Sequence, residues 1–388
     1  MAEADGALFA GSVRPHAASW DRAGELPSGI VRDLARAGLL ACDLPTRYGG
    51  SASPPLVLGR LCAELGGVCS ALRSLVTVQG MVAASVLRWG TEGQRARWLP
   101  ALAGGDLLAG FAATEDGAGT ELSAVASTVR RDAAGLVLDG RKRWVTFGGR
   151  AGVLLVLARL DGHPTTVLVE ADRPGVTTEP VHGLLGLRAA HVAHVGFDAV
   201  RVPEENLLAP PGFGLSHVAA TALDHGRYTV AWGCAGMAAA CVDHASAHAA
   251  GRRQGEVLLS DHQVVRARLG RAVVATAAAR ELCARAAASR QDGGPEALLD
   301  TVIAKYAAAR AAATVSQDAL QLMGAVGCTA DSPVERFFRD ARITQLIEGA
   351  EQVAEVRIGE HALRGHAGRP TGERAVDDRA AAADGPGR

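Results

Sequence analysis

Aromatic residues are scarce in this chain of 388 residues: five tryptophans, three tyrosines and seven phenylalanines, 4% in all. Each that remains bears on where a planar ring could be held. An excess of charge is missing too, since 40 basic residues meet 41 acidic ones. Nucleic acid or an anionic membrane surface would require a clustered basic excess, so neither is expected as a partner. The seven cysteines are odd in number and contain no C-x-x-C. That argues against a disulfide framework and reads Cys42, Cys62, Cys69, Cys234, Cys241, Cys283 and Cys328 as reduced core residues. The first residues, MAEADG, lack the cationic start and apolar run of a secretory signal, and the expectation is a cytoplasmic protein. The uncharged stretch between Arg227 and Asp243 is shorter than the ~18–20 residues of a membrane span and reads as a buried helix. Neither a G-x-G-x-x-G after a strand nor a G-x-x-x-x-G-K-[ST] occurs, so the usual signals of a Rossmann or P-loop nucleotide site are missing.

At roughly one domain per 150 residues, the length suggests two or three units. Apolar residues at three and four spacing predict helices over Ile30–Leu40, Leu56–Leu65 and Met81–Trp89, with Thr91 as the N-cap of the next one. Near Gly110 the texture changes to short apolar runs between Gly, Asp and Pro: Ala124–Arg130, Gly135–Leu138, Val153–Ala158, Thr165–Val169 and His194–Phe197. These predict strands. From Leu215 to about Leu363 the pattern is helical again, with Ala-rich stretches such as Ala304–Val315. Helices, then strands, then helices is not a βαβ alternation. The expected fold is mainly α with a central β-domain: helical residues 1–108, a β-domain over 109–206, and a helical bundle over 207–364. Residues 365–388, rich in Gly, Pro, Ala and charge without a period, read as a disordered tail.

Three segments could carry chemistry. In Phe111-Ala-Ala-Thr-Glu-Asp-Gly-Ala-Gly-Thr-Glu121, Gly117 and Gly119 allow close approach of a ligand, and Thr114 and Thr120 offer hydroxyls; a plain polar loop is the alternative. In Arg141-Lys-Arg-Trp-Val-Thr-Phe-Gly-Gly149, strand alternation puts Trp144 and Thr146 on one face, where they could stack on a planar ring and bond its edge. A core tryptophan is the competing reading. In Val334 to Ala350, Glu348 follows an apolar run and precedes Gly349, a setting in which desolvation would raise its carboxyl toward the range of a general base; a solvated helix-end glutamate is the alternative.

These segments, with Leu44-Pro-Thr-Arg-Tyr-Gly-Gly50, Gly90-Thr-Glu-Gly-Gln94, Val200-Arg-Val-Pro203 and Pro333-Val-Glu-Arg336 in the same order, make the chain resemble the acyl-CoA dehydrogenase family of flavoproteins from about Phe9 to Leu363. The resemblance implies an N-terminal helical domain, a middle β-barrel-like domain and a C-terminal four-helix bundle around a noncovalent FAD. By matching position, Phe111, Ala113 and Thr114 would contact the flavin. Gly119 and Thr120 would contact pyrophosphate and carrier, Trp144 would cover the ring, and Thr146 would bond near N5. Gly349, Ala350 and Gln352 would also border the cofactor. Arg252, Gln254, Gln321 and Gly324 would reach the FAD of a neighbouring subunit, which implies a homodimer or homotetramer. Glu348 would be the base, with Arg227 and Asp224 near substrate and base, Thr120 and Gly349 at the substrate, and Arg227 alternatively confined to an internal ion pair.

Several positions depart from the family pattern. Gly255 stands where an aromatic usually packs on FAD, Ile347 and Ala350 replace the Tyr and Thr of a Tyr-Glu-Gly-Thr motif, and Ala190 replaces a serine near CoA. Loss of such a hydroxyl removes about 1 kcal/mol or more of polar recognition. With Cys69-Ser-Ala-Leu-Arg-Ser74, Thr77-Val-Gln-Gly-Met81 and Val230-Ala-Trp-Gly-Cys-Ala-Gly236, these departures resemble the acyl-carrier-protein-linked dehydrogenases of methoxymalonyl-type polyketide extender units. That implies a short hydroxyacyl thioester on an acyl carrier protein, with an unidentified electron acceptor. The alternatives are an ordinary short- or medium-chain acyl-CoA dehydrogenase and a redox-inactive scaffold of the same fold. His244-x-x-x-His248 and His191-x-x-His194 have ligand-like spacing but lack the carboxylate or cysteine partners of a zinc site, so no metal is expected.

Overall fold

The computed structural model of the protein describes residues 2–133 and 135–364; the tail proposed for 365–388 lies outside them. Six helices come first: α1 (Ala2–Val13), α2 (Ala17–Ala23), α3 (Ile30–Arg36), α4 (Pro55–Gly66), α5 (Ser70–Trp89) and α6 (Glu92–Gly104). Thr91 caps α6 as its spacing predicts: its hydroxyl accepts from the Gln94 N–H, and the Gln94 side chain accepts from the Thr91 N–H. Helix α5 is twice the length that its apolar pattern from Met81 onward suggests. Its first half carries Arg73, Ser74, Thr77 and Gln79, polar residues that are nevertheless buried. By length and composition α5 could span a membrane, but it is the most enclosed helix of the N-terminal region.

The middle of the chain forms β1 (Ala109–Ala112), β2 (Thr128–Asp132), β3 (Gly135–Val145), β4 (Val153–Leu160), β5 (His163–Glu170), β6 (Val176–Pro180), β7 (Ala193–Val202) and β8 (Leu207–Leu208). The hydrogen-bonded order is β6-β7-β3-β2-β4-β5-β8, with β1 parallel to the first half of β4. Strand β4 reads VLLVLARL and is buried on both faces. Leu154 and Val156 enter the core of the sheet with Leu138, Val167 and Val195, whereas Val153 and Leu155 face α5 and α6 through Val82, Leu99 and Leu102. This two-sided burial explains an apolar run without alternation. Gln79 fastens the sheet to α5: its amide donates to Leu102 O and Leu107 O and its carbonyl accepts from Ala109 N.

The last third holds α7 (Ala220–Gly251), entered through a π-helical turn over Gly214–Ala219, then a short hairpin of β9 (Arg253–Gln254) and β10 (Val257–Leu258). Two long helices and two shorter ones complete the region: α8 (Gln263–Gln291), α9 (Ala297–Met323), α10 (Pro333–Thr344) and α11 (Glu351–Arg364). Alanine lets the bundle helices approach closely, as Ala304, Ala308 and Ala312 of α9 are fully buried. Six of the cysteines are buried as expected; Cys328 is exposed, because it ends a short 3-10 turn beyond α9 rather than a core helix.

Candidate active site

Glu348 sits in the turn between α10 and α11 with φ +54, followed by Gly349 at φ +102. Two successive left-handed residues are costly for a glutamate, and strain of this kind clusters at functional sites. The turn is held from both sides by a half-buried and a buried cation: Arg227 Nε of α7 donates to Glu348 O at 2.9 Å, and Lys305 Nζ of α9 donates to Gly349 O at 2.7 Å. Both bonds go to backbone, so neither consumes the carboxylate. Glu348 Oε2 is buried and has no hydrogen-bond partner. Beneath it lies Gly226, where a Cβ would stand 2.7 Å from Oε2 and 3.0 Å from Met81 Sδ. Burial pushes the Glu348 carboxyl above the ordinary carboxylate range, against the opposing pull of Arg227, Lys305, Arg73 and His225. Burial likewise lowers Arg227 and Lys305. Among the described residues the Glu348 N–H, beyond the end of α10, makes no backbone hydrogen bond. An unpaired desolvated carboxylate beside a free N–H can take a proton from a carbon whose neighbouring carbonyl that N–H polarises.

A second cluster forms where β1 and β3 run out. Arg143 N donates to Thr114 O at 2.8 Å, which brings Phe111, Ala113 and Thr114 beside Trp144 and Thr146. The simple strand alternation predicted for Trp144 and Thr146 does not hold. The β3–β7 register slips between Lys142 and Val145, Trp144 takes φ +57, and Thr146 lies past the end of β3. What survives is the exposure pattern: Trp144 is 56% exposed, Val145 is buried, and Thr146 is half-buried. Trp144 is therefore not a core tryptophan. Its ring meets the edge of His194 at 4.9 Å between centroids, and its backbone N–H donates to His194 Nδ1.

Behind this cluster lies an ion pair that sequence reasoning missed. Lys142, fully buried, places Nζ 2.6 Å from Glu115 Oε1 and 3.1 Å from Ala113 O, while Glu115 also accepts from Ser127 and Ala126. Lys142 thereby fixes the carbonyl of one predicted site residue and the carboxylate next to another. Lys305 was missed as well, because a single lysine in an alanine-rich helix reads as a solvated residue.

The remaining predicted residues divide by location. Gly119 and Thr120 are exposed on the loop after β1. Asp224, half-buried on α7, is engaged by Arg290, Nη1 to Oδ2 at 2.5 Å. Ala350 borders Glu348 at the start of α11, and Gln352 is exposed there. Arg252, Gln254, Gln321 and Gly324 are exposed at the opposite end of the bundle. Along α7, Gly251 lies about 36 Å from Arg227, and along α9, Gln321 lies about 24 Å from Lys305, at 1.5 Å per residue, so these four cannot join the Glu348 site of their own chain. Gly255 has a local cause. It occupies φ +60 at the first position of the two-residue turn joining Gln254 to Val257, where glycine is favoured and an aromatic would be strained.

The exposed indole of Trp144 beside the hydroxyls of Thr114 and Thr146 is a donor set and stacking surface that fits a planar isoalloxazine. Profiles describing the acyl-CoA dehydrogenase N-terminal, middle and C-terminal domains match residues 3–106, 110–200 and 214–363. The chain belongs to the acyl-CoA dehydrogenase family. Members of this family are FAD-dependent oxidoreductases acting on acyl thioesters. The mouse (Mus musculus) mitochondrial short-chain specific acyl-CoA dehydrogenase is 31% identical over 91% of this chain and 86% of its own length. The solved structure of FkbI, described as acting in biosynthesis of the methoxymalonyl extender unit of the polyketide Fk520, has 37% identity and a TM-score of 0.86, covering 94% of this chain and 99% of that one. A glutaryl-CoA dehydrogenase from Mycobacterium smegmatis in complex with FADH2 has 27% identity and a TM-score of 0.89, covering 95% of both chains. As expected of an acyl-CoA dehydrogenase-like fold, the helical, sheet and helical parts follow in the family's order.

Proposed function

We propose that this acyl-CoA dehydrogenase family member oxidises a short hydroxyacyl thioester carried on an acyl carrier protein, as a step in making a polyketide extender unit. The observation that carries the chemistry is the buried, unpartnered Oε2 of Glu348 in a turn held by Arg227 and Lys305. The carrier rests on the likeness to FkbI and on Ala190, fully buried, which offers no hydroxyl to a CoA nucleotide.

In this reading the Glu348 N–H donates to the thioester carbonyl and acidifies the α-carbon. A well-placed donor of this kind is worth on the order of 3 kcal/mol in the transition state. Glu348 Oε2 takes the α-proton. Bound FAD supplies the acceptor for the β-hydride. Phe111, Ala113, Thr114, Trp144 and Thr146 would hold the flavin ring, and Gly119 and Thr120 would serve its pyrophosphate and the carrier. Arg252, Gln254, Gln321 and Gly324 reach the cofactor of a second copy of the chain, which makes the working unit a homodimer or larger. The test is anaerobic mixing of the FAD-loaded protein with hydroxyacyl groups on carrier protein and on CoA. Faster flavin bleaching by the carrier-bound form supports the reading, and bleaching by acyl-CoA alone overturns the carrier assignment.

A further inference from the structure

A buried imidazole stands one residue away from the base on both helices that meet there. Helix α5 contributes Gly80 and Met81 to this crossing, and α7 contributes His225 and Gly226. A Cβ on Gly226 would lie 2.7 Å from Glu348 Oε2 and 3.0 Å from Met81 Sδ. A Cβ on Gly80 would lie 3.0 Å from His225 Nδ1 and 2.8 Å from Nε2. Only glycine at position 80 leaves room for the ring, and the charge of His225 is felt at the Glu348 carboxyl.

The ring is oriented from the N-terminal region. His225 Nε2 meets Asp43 Oδ2 at 3.1 Å. Asp43 belongs to a loop that is pinned on either side of it: Cys42 O accepts from the N–H groups of Ser51 and Ser53, and Leu44 O accepts from the Ala52 N–H. The Leu44–Gly50 motif closes this loop, with Gly50 packed so tightly that a Cβ would strike the Leu44 carbonyl. Burial would raise the Asp43 carboxyl, but His225 and Arg290 hold it below the ordinary carboxylate range. An ionised carboxylate only accepts, so Nε2 carries the hydrogen, and Nδ1 of the neutral ring is left as an acceptor.

His225 is 3% exposed, and its Nδ1 has no hydrogen-bond partner. A buried acceptor without a donor is costly. Glu348 Oε2 is in the same condition. Two unpaired acceptors therefore belong to neighbouring positions of one crossing, where the pliable thioether of Met81 packs on Gly226. Oε2 is needed for the α-proton. A plain acyl chain brings nothing for Nδ1, whereas a hydroxyacyl chain brings an O–H.

We propose that His225 Nδ1, set as an acceptor by Asp43, receives the hydrogen bond of a hydroxyl on the α- or β-carbon of a short acyl thioester whose α-proton goes to Glu348. Met81 swings aside to admit the chain. His225 is then a specificity-determining residue, because a site built around a hydroxyl rejects the analogue that leaves its buried acceptor unpaired. The inference rests on the hydroxyacyl reading proposed above and assigns the residue that recognises the hydroxyl.

The test measures binding without turnover. The FAD-loaded protein is titrated calorimetrically with four pantetheine thioethers, S-propyl, S-2-hydroxypropyl, S-3-hydroxypropyl and S-2-oxopropyl, which lack the thioester carbonyl and are not oxidised. One hydroxypropyl ligand should bind about tenfold more tightly than propyl, and which one does so identifies the carbon. The 2-oxopropyl ligand, an acceptor only, should bind no better than propyl. His225→Phe keeps a ring in the Gly80 gap but removes both nitrogens. It should leave propyl binding unchanged and abolish the hydroxyl advantage, a selective loss that misfolding cannot mimic. Equal binding of all four ligands by the unmodified protein, an oxo ligand that matches the hydroxyl ligands, or a hydroxyl advantage that persists in His225→Phe overturns the assignment. Flavin bleaching by hydroxyacyl thioesters is scored separately. Bleaching with a flat ligand series sinks the His225 subsite alone, and a hydroxyl preference without bleaching sinks the dehydrogenase reading alone.

Discussion

Arg227 grips the backbone of Glu348 and leaves its carboxylate alone: Nε meets the carbonyl at 2.9 Å, while Oε2 stays buried and unpartnered. Had the guanidinium closed on the carboxylate, the base would be neutralised by its own neighbour. The arrangement separates two tasks, with Arg227 and Lys305 holding the turn and Glu348 kept free for a proton.

Arg227→Ala should therefore act as a positioning defect. Loss of a charged hydrogen bond of about 1.5–3 kcal/mol corresponds to a drop in flavin reduction rate of roughly tenfold to a hundredfold. FAD content should stay unchanged. Stopped-flow absorbance together with the ratio of flavin to protein absorbance separates the two effects.

Gly226→Ala places a methyl 2.7 Å from Glu348 Oε2. The carboxylate must move, whereas α7 gains a better helix former. A stable, fully yellow protein with slow reduction is expected. Wild-type rates in this variant would show that Oε2 does not need its present position.

The pH dependence follows from the direction of the Glu348 shift. Its carboxyl is raised by burial, so the acid limb of the reduction rate should have its midpoint above the usual carboxylate value of about 4.3. Because the folded chain holds this proton more tightly than the unfolded one, ionisation costs stability. The fold gains from this group below the ordinary value and loses the gain as pH rises through to the raised one. Glu348→Gln should remove the limb and raise Tm at neutral pH; a Tm lower than wild type at pH 7 would contradict the assigned desolvation.

Lys142 and Glu115 predict a structural effect on the flavin side. Removing one partner of a buried pair leaves the other uncompensated, at a cost of about 3–5 kcal/mol. Lys142→Ala should lower the urea midpoint clearly, and should weaken FAD retention because Ala113 O and the Glu115 loop lose their anchor.

The long helices and the core of the sheet were legible because their apolar residues recur at helical or strand spacing. Other parts were not, for physical reasons. Strand β1, Ala-Gly-Phe-Ala, has no β-branched residue, and β6 is an edge strand with four of its five residues exposed. Strand β3 runs through Asp139 to Arg143, a charged stretch that looks like a loop until Lys142 finds Glu115. The first half of α5 hides in the same way, since Thr77 and Gln79 find partners in Thr229 of α7 and Ala109 of β1, far along the chain. In the site, Glu348 was suggested by its neighbours in sequence, but its unpartnered oxygen is a tertiary property. Lys305 and Arg227 meet it from helices 43 and 121 residues away, and no local pattern records that.

The most direct test of the account is anaerobic flavin reduction by a carrier-bound short acyl thioester, compared between wild type and Glu348→Gln at equal FAD content. The account predicts bleaching in the wild type and none in the variant. Bleaching of the variant at the wild-type rate would place the base elsewhere and contradict it.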